Sequence, residues 1–264
     1  MIKNFCSQIS LRRSLAVAAL AFSASLAQAA TFSGRDMQLV GSASVLAGGD
    51  LQLTPGATDL AGAAWMTTAL STTEDFSANF SFTIAASQDI TIADGIAFVL
   101  QGGGTGALGN GGGGIGFEGL DAVGSVIHTF GNNHVGLNAF GDPFSAPAAP
   151  IDPATAAPVD LGGAQLITGF QNVGYDAANG LLVMTGAITV DGVEYEISDS
   201  LSVNLATRFG STMYVGFTGA TGSAWSDQRV NSWSIAPVPE PESYALMIAG
   251  LGLVGWKLRR RVVA

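Results

Sequence analysis

The chain has 264 residues, 36 of them glycine and one cysteine, and carries 20 Asp and Glu against 10 Lys and Arg, a formal charge of −10. Between Thr31 and Ala236 the only basic residues are Arg35, Arg208 and Arg229. Such a surface repels phosphate backbones and excludes nucleic acid as a partner held by counterion release. It suits neutral ligands such as sugars, or divalent cations, and equally a protein that is merely soluble.

Residues 1–30 read as a signal peptide with a helical core. Lys3, Arg12 and Arg13 precede an apolar run from Leu15 to Leu26, and Ala27-Gln28-Ala29 offers signal peptidase its small-x-small pattern. The mature chain is expected to begin near Ala30 or Thr31, outside the cytoplasm, and Cys6 leaves with the leader. Residues 31–236 then fold without disulfide or thiol, and are long enough to do so as one domain.

The part that folds reads as strands. In "FSANFSFTI", Phe76, Ala78, Phe80, Phe82 and Ile84 share one face and Ser77, Asn79, Ser81 and Thr83 the other. "DGIAFVL", Asp94 to Leu100, is continuously apolar, as expected of a strand covered on both faces. "GTGALG", Gly104 to Gly109, matches a dinucleotide fingerprint, but "NGGGGIGFEGL" follows and cannot open the helix that holds a pyrophosphate. The glycines are instead expected in a loop where bare backbone approaches a ligand, or in a plain connection.

"SVIHTFGNNHVGLN" comes next and holds both histidines, His128 and His134. Pro143, Pro147, Pro150, Pro153 and Pro158 mark residues 142–160 as a loop excursion outside any sheet interior, with an interdomain linker as the alternative. Asn179-Gly180 and Asp191-Gly192 are two-residue hairpin signals. In "VEYE", Glu194 and Glu196 share a face, the geometry of a glycosidase pair, but Val193, Tyr195 and Ile197 suit the buried face and leave the glutamates to water. Both histidines fall in one short stretch with no nucleophile elbow, so no Ser-His-Asp triad is expected. "STMYVGFTGATG" and "RVNSWSI" complete an all-β, antiparallel sandwich.

At the far end, Pro239-Glu240-Pro241 precedes an apolar stretch from Tyr244 to Trp256, expected to be a short helix, and then Lys257, Arg259, Arg260 and Arg261. The stretch is short of the roughly 20 residues a membrane crossing needs, and its basic end would stay on the cytoplasmic side. Residues 237–264 resemble the PEP-CTERM sorting signal of Gram-negative bacteria. The resemblance implies transient passage through the inner membrane, cleavage by an exosortase, and delivery to the periplasm, outer surface or extracellular matrix, often with exopolysaccharide. An ordinary C-terminal anchor is the alternative.

Taken in order, "FSANFSFTI", "ADGIAFVL", "GGGGIGFEGL", "SVIHTFGNNHVGLN", "YVGFTGATG" and "NSWSI" resemble the legume-lectin-like (L-type lectin, concanavalin-like) family over nearly all of Thr31 to Ile235. That implies a jelly-roll sandwich of two antiparallel sheets that binds carbohydrate and is not an enzyme. By the same resemblance Asp94, after a cis peptide at Ala93-Asp94, accepts sugar hydroxyls. Gly112 or Gly113 offers a main-chain N–H, and Asn132 serves both calcium and sugar. Thr221, Gly222, Ser223 and Ala224 set sugar preference, and Trp225 stacks on a pyranose or simply fills a core edge.

The family also implies calcium and a transition metal side by side, held by carboxylates. Here Val126 stands for the expected Glu, His128 for the first Asp, and the second Asp is missing. What remains is His128, the Phe130 carbonyl, Asn132 and His134, a degenerate set for hard cations. Three readings stay open: the metals are lost, His128 and His134 bind zinc or copper as a pair, or Asp142 or Asp121 replaces the missing ligands. The functional expectation is a surface-sorted glycan-binding protein, with a non-binding structural matrix protein and a sandwich-fold hydrolase as alternatives.

Overall fold

The computed structural model describes residues 30–32, 36–86, 91–131, 133–139, 141–147 and 149–237. The expected signal and C-terminal helices, the sorting residues Pro239 to Pro241 and Arg259 to Arg261, and Asn132 lie outside them. Strands run in the order β1 (Ala30–Phe32), β2 (Met37–Gly41), β3 (Ser44–Val45), β4 (Leu51–Thr54), β5 (Ala61–Met66), β6 (Leu70–Ser71), β7 (Phe76–Ala86), β8 (Gly95–Gln101) and β9 (Ala122–His128). They continue with β10 (His134–Asn138), β11 (Ile151–Asp152), β12 (Ala157–Pro158), β13 (Leu166–Asp176), β14 (Leu181–Val190) and β15 (Val193–Ser202). Helix α1 (Leu205–Phe209), β16 (Thr212–Ala220) and β17 (Ser226–Pro237) follow.

Two antiparallel sheets face each other. The back sheet has the order β15-β14-β13-β7-β17-β4-β3, with β1 also on β17, and the front sheet β10-β9-β8-β16-β5-β2, with β6 on β16. The alternation of β7 is what the sequence predicts: Phe76, Ala78, Phe80, Phe82 and Ile84 are all buried. Phe80 stacks on Phe98 at 5.5 Å, Phe217 stands edge-on to both, and Trp233 closes on Phe217 at 5.6 Å. Each such ring pair adds about 0.5–1.5 kcal/mol beyond the area it buries.

β8 is apolar on both faces for a visible reason. Ile96, Phe98 and Leu100 point between the sheets. Ala97 and Val99 join Ala63, Trp65, Val126, Ile115 and Phe117 in a second cluster, under the glycine-rich loop. That loop is fixed from below, where Trp65 Nε1 donates to Ala107 O at 2.8 Å. Its only helical turn is Gly112–Gly114.

Several local expectations are refined. Asp191-Gly192 is a two-residue turn, with Val190 paired to Val193 and φ of 48° and 89°. The hairpin at Asn179-Gly180 spans four residues, 177–180, because Asp176 pairs with Leu181 while its side chain accepts from Asn179 N. Val193 begins β15 at the sheet edge and is 54% exposed rather than buried. The proline segment stays off both main sheets and folds into the β11–β12 ribbon. It also lies along β10, with Val135 N donating to Pro147 O and Ala149 N to Asn133 O.

Candidate functional site

The site forms where β8 begins, beside the loops that follow β9 and β16. The Ala93–Asp94 peptide is cis, and its groups are tied to both sheets. Ser226 Oγ donates to Ala93 O at 2.7 Å and Gln228 Nε2 at 3.1 Å. Asp94 N donates to Ala220 O at 2.9 Å, and Asp94 O accepts from Thr129 N at 2.8 Å. Thr129 Oγ1 in turn donates to Ile92 O at 3.1 Å. Ser226 and Gln228 lie at inward positions of β17, polar groups spent on the Ala93 carbonyl, which would otherwise be buried unpaired.

Asp94 is 4% exposed, and its Oδ2 has no hydrogen-bond partner. Burial pushes its carboxyl up to about 6, against the lowering effect of the Gly222 N–H. Two glycines close on that oxygen. A Cβ on Gly222 would stand 3.3 Å from Asp94 Oδ2 and 3.6 Å from Gly112 Cα, and one on Gly112 would stand 4.0 Å from the same oxygen. Gly112 has φ +56°, a conformation that glycine adopts at little cost. Bare main chain thus flanks a carboxylate that has unused acceptor capacity.

The structure brings Asp94, Gly112 and Gly222 together. Gly113 lies beside them but faces the other way, its carbonyl bonded to His128 Nε2 at 2.9 Å. Thr221 is fully buried and its hydroxyl is committed, donating to Ala57 O and accepting from Leu60 N. Its role is to hold the loop. Ser223 is exposed, and Ala224 and Trp225 are half-buried. Gly222 N donates to Ala224 O at 3.1 Å, which tightens that turn.

Two aromatic rings were not expected as surface groups here. Phe130, directly after the Thr129 that binds Asp94 O, is 45% exposed, and Phe144, from the proline segment, is 47% exposed. The Phe144 ring stands edge-on to His128 at 4.9 Å, and its Cζ lies 3.0 Å from where a Gly113 Cβ would be. Nothing in the spacing of "GDPFSAP" announces this, since the segment reaches β9 only through tertiary packing.

Among the described residues, the donors between 126 and 134 do not fit the calcium and transition-metal pair that the sequence resemblance implies. Val126 is buried in the second cluster. Among the described residues no group of three His, Cys, Asp or Glu could hold a metal ion. Asp121 precedes β9, at the end away from His128, and pairs with Arg208 at 2.6 Å. Asp142 caps the turn Pro143–Ser145, accepting from Phe144 N at 3.0 Å. His128 is fully buried, and burial holds its pKa below the ordinary value; the Gly113 carbonyl opposes that shift and His134 adds to it. Glu194 and Glu196 are exposed on β15, in the back sheet, with no place at Asp94.

A legume lectin domain family model matches residues 24–245, and a PEP-CTERM protein-sorting motif matches residues 237–261. No curated protein sequence matches the chain. Among solved structures, a lectin from Bauhinia forficata in complex with GalNAc aligns with TM-score 0.63 and 23% identity, covering 80% of this chain and 99% of that one. Peanut lectin aligns with TM-score 0.64, 21% identity and coverage of 80% and 98%. Arcelin-5, a lectin-like defense protein from Phaseolus vulgaris, aligns with TM-score 0.62, 21% identity and coverage of 78% and 93%.

Proposed function

The chain belongs to the legume lectin domain family and carries a PEP-CTERM motif, and from that premise we propose that it is an exported, surface-sorted protein that binds neutral carbohydrate at Asp94. One observation carries the reading: Asp94 Oδ2 is buried without a partner between Gly112 and Gly222. A buried acceptor of that kind is satisfied by a donor from outside, and sugar hydroxyls supply donors in pairs. Phe130, exposed one residue after the Thr129 whose N–H meets Asp94 O, is the ring assigned to the apolar face of a pyranose. Gly112 or Gly113 and the Gly222–Trp225 loop set which hydroxyls fit, and Asn132 is assigned to the same ligand. Binding without turnover is the reading that membership of a lectin domain family supports.

Cleavage after residues 1–30 and near Pro239-Glu240-Pro241, by signal peptidase and an exosortase, would release residues 31–236 at the cell surface, and exopolysaccharide is the ligand assigned to them there. A glycan array with and without EDTA tests the binding. Binding that Asp94→Asn abolishes supports the reading, and a silent array refutes it.

The missing carboxylates at Val126 and His128 favour one second reading, a structural matrix protein that keeps the sandwich and has lost the sugar. Silence on the array together with retention in purified matrix would select it.

A further inference from the structure

His128 and His134 face one another as direct cross-strand partners of β9 and β10, with ring centroids 6.3 Å apart and planes inclined at 60°. Each ring meets a main-chain carbonyl through one nitrogen, His128 Nε2 at Gly113 O and His134 Nδ1 at Ala146 O, at 2.9 and 2.6 Å. A carbonyl only accepts, so those nitrogens carry the protons and the opposite nitrogen of each neutral ring carries a lone pair. Both of these, His128 Nδ1 and His134 Nε2, are buried without a hydrogen-bond partner. A ring held through one N–H by a carbonyl, with its other nitrogen bare, is the arrangement by which second-shell groups orient a metal-bound histidine.

We propose that His128 Nδ1 and His134 Nε2 together bind one copper(I) ion. Two imidazole nitrogens each about 2 Å from a shared cation place their ring centroids roughly 5 to 6.5 Å apart, the wider end belonging to a near-linear bridge. The observed 6.3 Å falls at that end. Zinc takes four ligands and calcium six or more oxygens, and no third His, Cys, Asp or Glu joins the pair among the described residues. Copper(I), a closed-shell ion, accepts two nitrogens in line, and imidazole suits copper.

Charge favours the same ion. His128 is fully buried against the Phe144 ring, and a monovalent ion brings less charge into that setting than any divalent one. Two nitrogen–copper bonds form from existing lone pairs, so no proton is released and no electron moves. The site is distinct from the glycan reading, because copper occupancy is measured with no sugar present.

The test uses the full chain in mild detergent with Cys6→Ser, which removes the sole thiol; Met37, Met66, Met184 and Met213 are already buried. Copper(I) is kept reduced with ascorbate and titrated against bathocuproine disulfonate. The expected result is one copper per chain, and an X-ray absorption edge of two-coordinate copper with two nitrogen neighbours. His128→Gln and His134→Gln, each checked for folding by circular dichroism, should each weaken binding roughly tenfold or more. Absence of uptake, undiminished uptake in folded variants, displacement by equimolar zinc, or an oxygen-rich four-coordinate spectrum would each overturn the proposal. Should neither variant fold, the spectrum of the unsubstituted site decides.

Discussion

Burial raises the Asp94 carboxyl from 3.8 to about 6, ahead of the opposing Gly222 N–H. The folded chain therefore holds that proton more tightly than the unfolded chain. The stability this contributes is complete below pH 3.8 and is lost as pH rises through about 6. Above that the ionised group costs on the order of 1–3 kcal/mol. Asp94→Asn should accordingly raise Tm at pH 8 and leave it unchanged near pH 4, by calorimetry, while removing glycan binding; an equal Tm difference at both values would count against the assignment. In the unsubstituted chain, affinity should climb with pH through about 6, as the carboxylate forms.

Gly222→Ala places a methyl 3.3 Å from Asp94 Oδ2, so titration calorimetry should show weakened sugar binding with little change in Tm. Gln228→Met keeps length but strips Ala93 O and Ala220 O of a donor. It should cost about 1–3 kcal/mol in urea denaturation. That Asp94 lies beside the glycines at 112 and 222 was legible from the order of motifs. The polar brace of Ser226, Gln228 and Thr129 was not, because a strand pattern alone does not reveal which carbonyl an inward polar side chain meets.

Among the elements, β10 and β15 are the outer strands of opposite sheets, and one side chain joins them. Asp199 Oδ2 accepts from Leu137 N at 2.8 Å, giving an edge N–H the partner it lacks in the ladder. Asp199→Ala should speed hydrogen exchange at the Leu137 amide roughly fivefold to tenfold relative to its β9 neighbours. Equal exchange would show that water already serves that amide. The alternation of β7 and the double burial of β8 followed directly from their residue patterns. In β17 the register shifts between Val230 and Ser232, so Trp233 returns to the core after Ser226, Gln228 and Val230. A strict period of two would have turned that ring outward, and a bulge leaves no compositional mark here.

Over the whole molecule, 20 acidic groups against 10 basic ones make a surface that neither attracts polyanions nor depends on charge for a neutral ligand. Binding of a neutral glycan should thus hold from low to high salt, whereas any binding of an acidic polysaccharide should be weak at low salt and strengthen as charge is screened. Affinity for a neutral sugar that collapses with salt would contradict the site described. The family and the sorting motif were both readable in the sequence, because each rests on segment order. The position of residues 142–160 was not: it depends on Val135 and Asn133 bonding to that segment across the edge of β10.

The pairing of one carboxylate with bare main chain at Gly112 and Gly222 also bears on how this surface can change over time. Two of the positions expected to meet the sugar, Gly112 and Gly222, present only peptide units beside Asp94, and the chemistry of a peptide unit is the same whatever residue supplies it. Few codons then encode recognition directly, and those few tolerate little. The loops between them are free to diverge so long as the backbone path holds, and a new preference for ligand would arise by shifting that path before altering any contact residue.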